Sequence, residues 1–376
     1  MRHIQDDFEI EVIDSEARLD DLEPEYLNFQ DRCNASIYSS YLFVRTAWRH
    51  FHSDRDQLFV LVFRLAHQIA AIAPFKIAVE KIYFAPLRVI RFISQWGEGD
   101  GPSIITSIDE SLIWTQIEKF LSDTYKIWDL IVLPEQPVES PLHNGTIFNT
   151  GTFQKRIGAL GQSHYIALGD SWDAYLAART KKARANWTRG RKKLFALDQP
   201  CSFECIVSSE QISTAIERYV ALEQRSWKKG MDFSVGGNET QSGFYKDLLT
   251  RLSSRGMAAL YFITYGTEDI ASLITYKFKR TIYAVQITHS DKFQQLSLGL
   301  VLFVEVLKEL FGSGFSELDF LGFESTANRR HWKIDWASGS RQRVTLNVYN
   351  NGWRVYAYAL EKMIRSRLSR KPNSIN

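Results

Sequence analysis

The sequence predicts a protein of the α+β or α/β class with two lobes, each built of strands flanked by helices. Three observations carry this prediction. Strand-like runs cluster in two consecutive sets, near residues 57–92 and 257–290, with helical patterns before and after each. The order β-α-α-β-β-β-α-β can be read weakly in the first half and clearly in the second, where a further strand follows, so an internal repeat exists at the level of elements and not of residues. The chain has 376 residues, 45% hydrophobic and 24% charged, which is the composition of a globular protein long enough to build two cores.

The first half opens on the alternating stretch FEIEVI at Phe8–Ile13. Helical patterns follow at 17–33 and 38–51. QLFVLVFRL and QIAAIAPFKIAV read as neighbouring strands joined near Ala66 and His67, and KIYFAPLRVIRFISQ as a third strand region interrupted by Pro86. The Gly-rich, acidic WGEGDGPS around Asp100 is a loop, which the repeat assigns to the cleft between lobes. DESLIWTQIEKFLSDTY is a helix with Asp109 as its N-cap, and WDLIVLPEQ a short buried strand. Residues 145–161 have weak periodicity and read as connection. The lobe boundary falls near residue 165, dividing the chain into 1–164 and 165–376.

The second half begins with a bridging helix, WDAYLAARTKKARANWTRGRKKLFAL, capped by Asp170 or Ser171. CSFECIV is a strand and SEQISTAIERYVALEQRSW a helix. The Gly-bearing KKGMDFSVGGNETQSG then leads into helix FYKDLLTRLSSRG, which ends on Gly256. Three strands follow: MAALYFITYG, DIASLITYKFK and TIYAVQITHS. After a polar turn and an apolar helix come strand SELDFLGF, the polar ESTANRRHWKIDW, strand RQRVTLNVY and a terminal helix from Trp353 to about Leu368.

A net charge of +3 is too small to imply a nucleic-acid partner by itself. Its distribution is uneven: residues 6–25 are acidic, whereas 179–193 and the tail RSRLSRKP are basic. Cys33, Cys201 and Cys205 are odd in number and lack metal-knuckle or redox-pair spacing, so they read as reduced thiols. The N-terminus lacks the apolar segment of a signal peptide, and the most apolar run is broken by Arg64 and His67. The expectation is a cytoplasmic protein without a transmembrane segment. No metal constellation, P-loop or nucleophile elbow is present.

The turn FQQLSLG before the helix that ends at Gly314 is the main chemical feature. Ser297 there is either an ordinary N-cap or, with Gln294, Gln295, Leu298 and Gly299, part of a phosphate site. A helix start offers unpaired N–H groups and a partial positive charge, and Gly299 permits close approach. The helix after it is nearly all apolar, which fits a rigid element packed on a sheet.

The element order and the pattern Gln294-Gln295-Leu296-Ser297-Leu298-Gly299 resemble the GNAT (N-acetyltransferase) superfamily. Its pyrophosphate pattern is Gln/Arg-x-x-Gly-x-Gly/Ala, with Ser297 here at the first Gly. More narrowly, residues 165–335 resemble the acetyltransferase-like family of cellulose and exopolysaccharide biosynthesis. The shared features are the basic segment from Arg179 to Lys193, LEQRSWKKG, LSLG and DFLGFE. The family's Tyr-Lys pair after that last strand is absent; STANRRHW stands there, with Arg329 or Arg330 as substitute cations. The tandem layout is similar to that of Fem-type aminoacyl ligases.

The resemblance implies tandem GNAT-like domains, each a mixed, mostly antiparallel sheet flanked by helices and the first a degenerate copy. It implies an acyltransferase that moves an acyl group from acetyl-CoA or another acyl-CoA to an amine or hydroxyl of a sugar or cell-envelope precursor. The alternatives are a Fem-type transferase that uses aminoacyl-tRNA or an acyl carrier protein, and a GNAT-fold binding protein without catalysis. Pantetheine would add beside residues 285–289, with the thioester near Gln286, Ile287 and Thr288. Base candidates are His289, Asp291 and Glu324, with Glu324 preferred for its place at a strand end. Asp319, if buried, requires a partner such as an arginine. Trp227 and Arg225, beside the Gly-bearing loop, are either candidate lid and substrate residues or part of an ordinary helix C-terminus with its stabilising lysines, and Arg184 stands for the basic helix. That helix is either a solvated face or a site for an anionic small-molecule or glycan acceptor, an acyl carrier protein or tRNA.

Overall fold

The computed structural model describes residues 2–5, 7–82, 85–94, 102–143, 145, 147–149, 153–321, 324–325, 332–358 and 360. The loop around Asp100 and both Arg329 and Arg330 lie outside them.

The first lobe contains β1 (Arg2–Gln5), β2 (Phe8–Ile13), α1 (Glu16–Asp21), α2 (Glu23–Arg32), α3 (Tyr41–Phe51), β3 (Gln57–Leu65), β4 (Gln68–Ile82), β5 (Ala85–Phe92), β6 (Ile105–Thr106), α4 (Glu110–Asp123) and β7 (Leu130–Pro137). β8 (Phe153–Ala167) leads to α5 (Trp172–Ala177), α6 (Lys181–Leu194), β9 (Cys201–Ile206), α7 (Ile212–Glu223), α8 (Glu239–Ser253), β10 (Ala258–Tyr265), β11 (Glu268–Phe278) and β12 (Thr281–His289). The chain continues through α9 (Leu298–Leu310), β13 (Glu317–Asp319), β14 (Glu324–Ser325), α10 (Trp332–Trp336) and β15 (Gly339–Asn350).

One mixed sheet runs through both lobes in the order β1-β2-β3-β4-β5-β7-β15-β8-β13-β12-β11-β10-β9. Its two parallel contacts, β5 with β7 and β12 with β13, occupy equivalent places in the two lobes. The sequence-final strand β15 pairs with β7 of the first lobe, while β8, which follows β7 in the chain, pairs with β13 of the second. β8 and β15 also pair with each other from Phe153/Asn350 to Tyr165/Gly339. The lobes therefore exchange strands, and residue 165 lies within β8.

The expected connection at 145–161 is corrected by β8, which lies at the middle of the sheet. Its apolar side chains Ile157 and Leu160 are 49% and 44% exposed, and it carries Gly158 and Gly161, so it has no apolar alternation to read. Backbone pairing to β15 defines it instead. The bridging helix is also corrected, to two helices. Ser171 caps α5 by accepting from Ala174 N–H, and Thr180 restarts the chain as α6 by accepting from Ala183 N–H. Asp109 caps α4 as expected. The stretch 17–33 is two helices, α1 and α2, and α3 begins at Tyr41 behind its cap Ser40 rather than at 38. The terminal helix begins at Trp353, and the rest of its expected span, from 361, lies outside the described residues.

Helices α1–α3 and α7–α8 pack together in one core with faces of both half-sheets. Phe43 meets Phe244 edge-on at 5.7 Å, and Tyr38 meets Tyr283 of β12 at 5.8 Å. A second core lies under α4, and a third under α5, α6, α9 and α10. Because the first core belongs to both lobes, the protein is expected to unfold in a single calorimetric transition. Phe244→Ala should lower stability by about 3–5 kcal/mol without splitting that transition. Two resolved transitions would contradict the shared core.

Candidate active site

β12 and β13 pair over three positions only, Thr281/Glu317, Ile282/Leu318 and Tyr283/Asp319. β12 then continues to His289 while β13 ends. Asp319, 3% exposed, accepts the N–H of Leu321 at 2.8 Å, and Leu321 turns the chain with φ +54°. Phe320 N–H donates to His164 of β8. Among the described residues, no strand pairs with the β13-facing edge of β12 beyond Tyr283. Arg341 holds the corner: its guanidinium is 3.3 Å from Asp319 and bonded to Glu317, and it covers the Tyr165 ring at 4.3 Å. The arginine partner expected for Asp319 is thus Arg341.

After β12, residues Asp291–Leu296 form a 3-10 turn, and Ser297 leads into α9 in the left-handed conformation, φ 54° and ψ 43°. That backbone disfavours side chains and explains physically why glycine suits this position. Ser297 makes no side-chain capping bond, so its hydroxyl is not the ordinary cap that the sequence allowed. The first N–H groups of α9 lie at the turn without a capping side chain.

Facing them is α6. Asn186, Arg189, Gly190 and Lys193, at i, i+3, i+4 and i+7, line one stripe of that helix. They close a cavity of about 480 Å³ with His289, Gln295, Ser297, Gly299, Leu300 and Trp332. The close approach depends on Gly190: a Cβ there would lie 2.8 Å from Val301 Cγ2 and 2.9 Å from the Leu296 carbonyl oxygen. Trp187 Nε1 donates to Glu305 of α9 at 3.1 Å, and Arg191 pairs with the same carboxylate at 2.9 Å. These contacts set the rotation of α6. They leave Arg189 and Lys193 exposed beside the turn, with no acidic partner among the described residues. Two cations opposite a helix N-terminus make a receptor for a multiply charged anion. Among the described residues, no group of His, Cys, Asp and Glu could hold a metal ion.

Of the residues singled out from sequence, His289, Gln295, Ser297 and Gly299 meet in this cavity. Leu298 is in the core beneath it, and Gln294 is exposed on the turn. Ile287 points to the same side, 3.7 Å from the position of a Cβ on Gly299. Gln286 and Thr288 point to the opposite face, where they are buried. Glu324 pairs by its backbone with Gln162 of β8, and its side chain lies outside the described residues. Asp291 is exposed on the turn. Arg225 and Arg184 do not reach the cavity: Arg225 is bound to Glu268 at 2.8 Å, and Arg184 is exposed on another face of α6. Trp227 is 48% exposed. Sequence reasoning missed Asn186 and Gly190 and did not connect Arg189 and Lys193 to the turn. Their helical spacing was the available signal.

Residues 181–333 match the family described as "Acetyltransferase (GNAT) domain". No curated protein matches the sequence. FemX is similar in structure, with a TM-score of 0.59 at 10% identity, over 89% of this chain and 97% of that one. A conserved protein of unknown function from Bacteroides thetaiotaomicron gives 0.53 at 10% identity, over 90% and 99%. L-PGS from Bacillus licheniformis gives 0.51 at 12%, over 92% and 96%.

The packing at Gly190 is testable. Gly190→Ala gains up to about 1 kcal/mol of helix propensity but must displace Val301 or the turn, so a net loss of about 1–2 kcal/mol is expected in denaturant unfolding. A variant as stable as the wild type would contradict the contact. By its matched domain the chain carries a GNAT acetyltransferase domain over residues 181–333, within a two-lobed fold that resembles that of FemX.

Proposed function

We propose that the protein transfers an acyl group from acyl-CoA to an amine or hydroxyl by direct attack on the thioester. The carrying observation is the cavity between α6 and α9, where the N–H groups of α9 face Arg189 and Lys193. The CoA pyrophosphate would sit there. Pantetheine would run along the β12 edge from Ala284 toward His289, its amides bonding to backbone groups released by the divergence of β13. His289, half-buried and lining the cavity, serves on this reading at the phosphate end of the donor. The family resemblance supplies the acceptor class, a sugar or cell-envelope precursor.

A second donor, aminoacyl-tRNA, has one observation in its favour: Lys181, Lys182, Arg184 and Lys192 stand exposed on the same helix that lines the cavity. RNA bound there would lose affinity steeply with salt.

Calorimetry with acetyl-CoA and longer acyl-CoAs distinguishes the two. The wild type is expected to bind with micromolar affinity, and Gly299→Glu to abolish binding by placing a carboxylate in the cavity. Arg189→Ala and Lys193→Ala should each weaken it roughly tenfold or more, as loss of a charge-assisted hydrogen bond of about 1.5–3 kcal/mol requires. No binding of any acyl-CoA, with salt-dependent binding of tRNA, would replace the first reading by the second.

A further inference from the structure

On the face of β12 opposite the cavity lies a buried group of charges outside the site just described. Glu223, the last residue of α7, is 1% exposed, and Lys228 is 3% exposed. Glu223 Oε2 accepts the N–H of Gly236 at 2.8 Å. Its Oε1 lies 3.7 Å from Lys228 Nζ and accepts no hydrogen bond. Lys228 Nζ donates to Gln286 Oε1, and Gln286 Nε2 donates to the Tyr245 hydroxyl at 3.0 Å. Tyr219, 0% exposed, stands one helical turn before Glu223 on the same face of α7. Burial pushes the Glu223 carboxyl above its ordinary value, despite Gly236 N–H and Lys228.

A buried pair of this kind rarely stabilises more than apolar side chains of the same volume would, so stability alone does not account for it. Its position is informative. Gln286 contributes backbone to the β12 edge where the thioester would lie, and its side chain reaches into the charged group.

The cover over this group is residues 224–238, which contain neither strand nor α-helix. It is folded by successive turns, Ser226 N–H to Glu223, Lys229 to Ser226, Met231 to Lys228, Ser234 to Met231 and Gly237 to Ser234. Gly230 takes φ +74°, and Trp227 and Phe233 are 48% and 44% exposed. Val235, 0% exposed, anchors the segment in the core, and without strand pairing it opens at lower cost than the sheet beneath it. Glu223 itself fastens the cover through Gly236, so an acceptor N–H or O–H that bonds to the carboxylate would take the place of that contact.

We propose that Glu223 is the catalytic base that takes the acceptor's proton once residues 224–238 lift, with Lys228 and Gln286 positioning it against the thioester end of β12. This rests on the acyl-CoA reading above. In the step, the acceptor nitrogen or oxygen bonds to the acyl carbon and the C–S bond breaks, its electrons leaving with the CoA sulfur. The proton passes to Glu223 and then to the departing thiolate. The sum is acceptor plus acyl-CoA giving acylated acceptor plus CoA–SH.

The test uses the full chain, acetyl-CoA as donor, and water or glucosamine as acceptor, with free CoA measured by chromatography. Glu223→Gln is expected to lower turnover at saturating acetyl-CoA by about 100-fold or more, while the acetyl-CoA dissociation constant stays within about threefold, since the donor's anion lies on the other face of β12. If the single variant does not fold, Glu223→Gln/Lys228→Met, which leaves no unpaired charge, is measured instead with the same expectation. A folded variant without the carboxylate that turns over within about threefold of the wild type overturns the proposal, as does a wild type that binds acetyl-CoA but releases no CoA above the protein-free rate. A wild type that binds no acyl-CoA fails at the donor reading instead.

Discussion

The candidate site exists because two parallel strands stop pairing. β12 and β13 share three residue pairs, and the separation after them is enforced from the β13 side. The Asp319 carboxylate is taken up by Leu321 N–H and by Arg341, and the chain is drawn away toward β8 by Phe320 N–H. Burying an aspartate at 3% exposure is tolerable only with such partners. The corner therefore cannot relax into a longer β13 without stranding a charge. Arg341 belongs to β15, the strand exchanged with the first lobe, so the opening in the second lobe is braced by the same strands that join the two lobes.

The candidate site depends on a second constraint, the contact of α6 with α9. Gly190 sets how near the helices come, and Glu305, shared by Trp187 and Arg191, sets how α6 is turned. Together they leave Asn186, Arg189 and Lys193 on the side that faces the α9 N-terminus. Arg179, at the α5–α6 junction, fixes the other end by donating to the Ala337 carbonyl at 2.7 Å while covering the Tyr175 ring. Charge, helix dipole and an uncapped turn then converge on one cavity.

Much of the second lobe could be read from the sequence, because each element is either apolar by period or marked by a turn residue. The run 298–310 after a Gly-bearing turn gave α9, and the three strands before it gave β10, β11 and β12. β8 could not be read. It is central by position yet solvated on much of its surface, with Ile157 and Leu160 exposed, and only its partner β15 makes it a strand. Glu223 and Lys228 were hidden for a different reason. Charges at a helix C-terminus ordinarily face water, so LEQRSWKKG directed attention to Trp227 and Arg225, two of the exposed members of the motif. Burial there is a tertiary fact, made by residues 224–238 folding back over the helix end. Ser297 illustrates the local limit: its hydroxyl suggested a cap, while its left-handed backbone decided otherwise.

The most direct measurement is hydrogen–deuterium exchange with and without CoA. Binding in the β12 opening predicts slowed exchange at the amides of residues 284–289 and 297–300, with the corresponding strand β5 of the first lobe unchanged. Unchanged exchange at both segments, or protection confined to the outer face of α6, would contradict the placement of the donor.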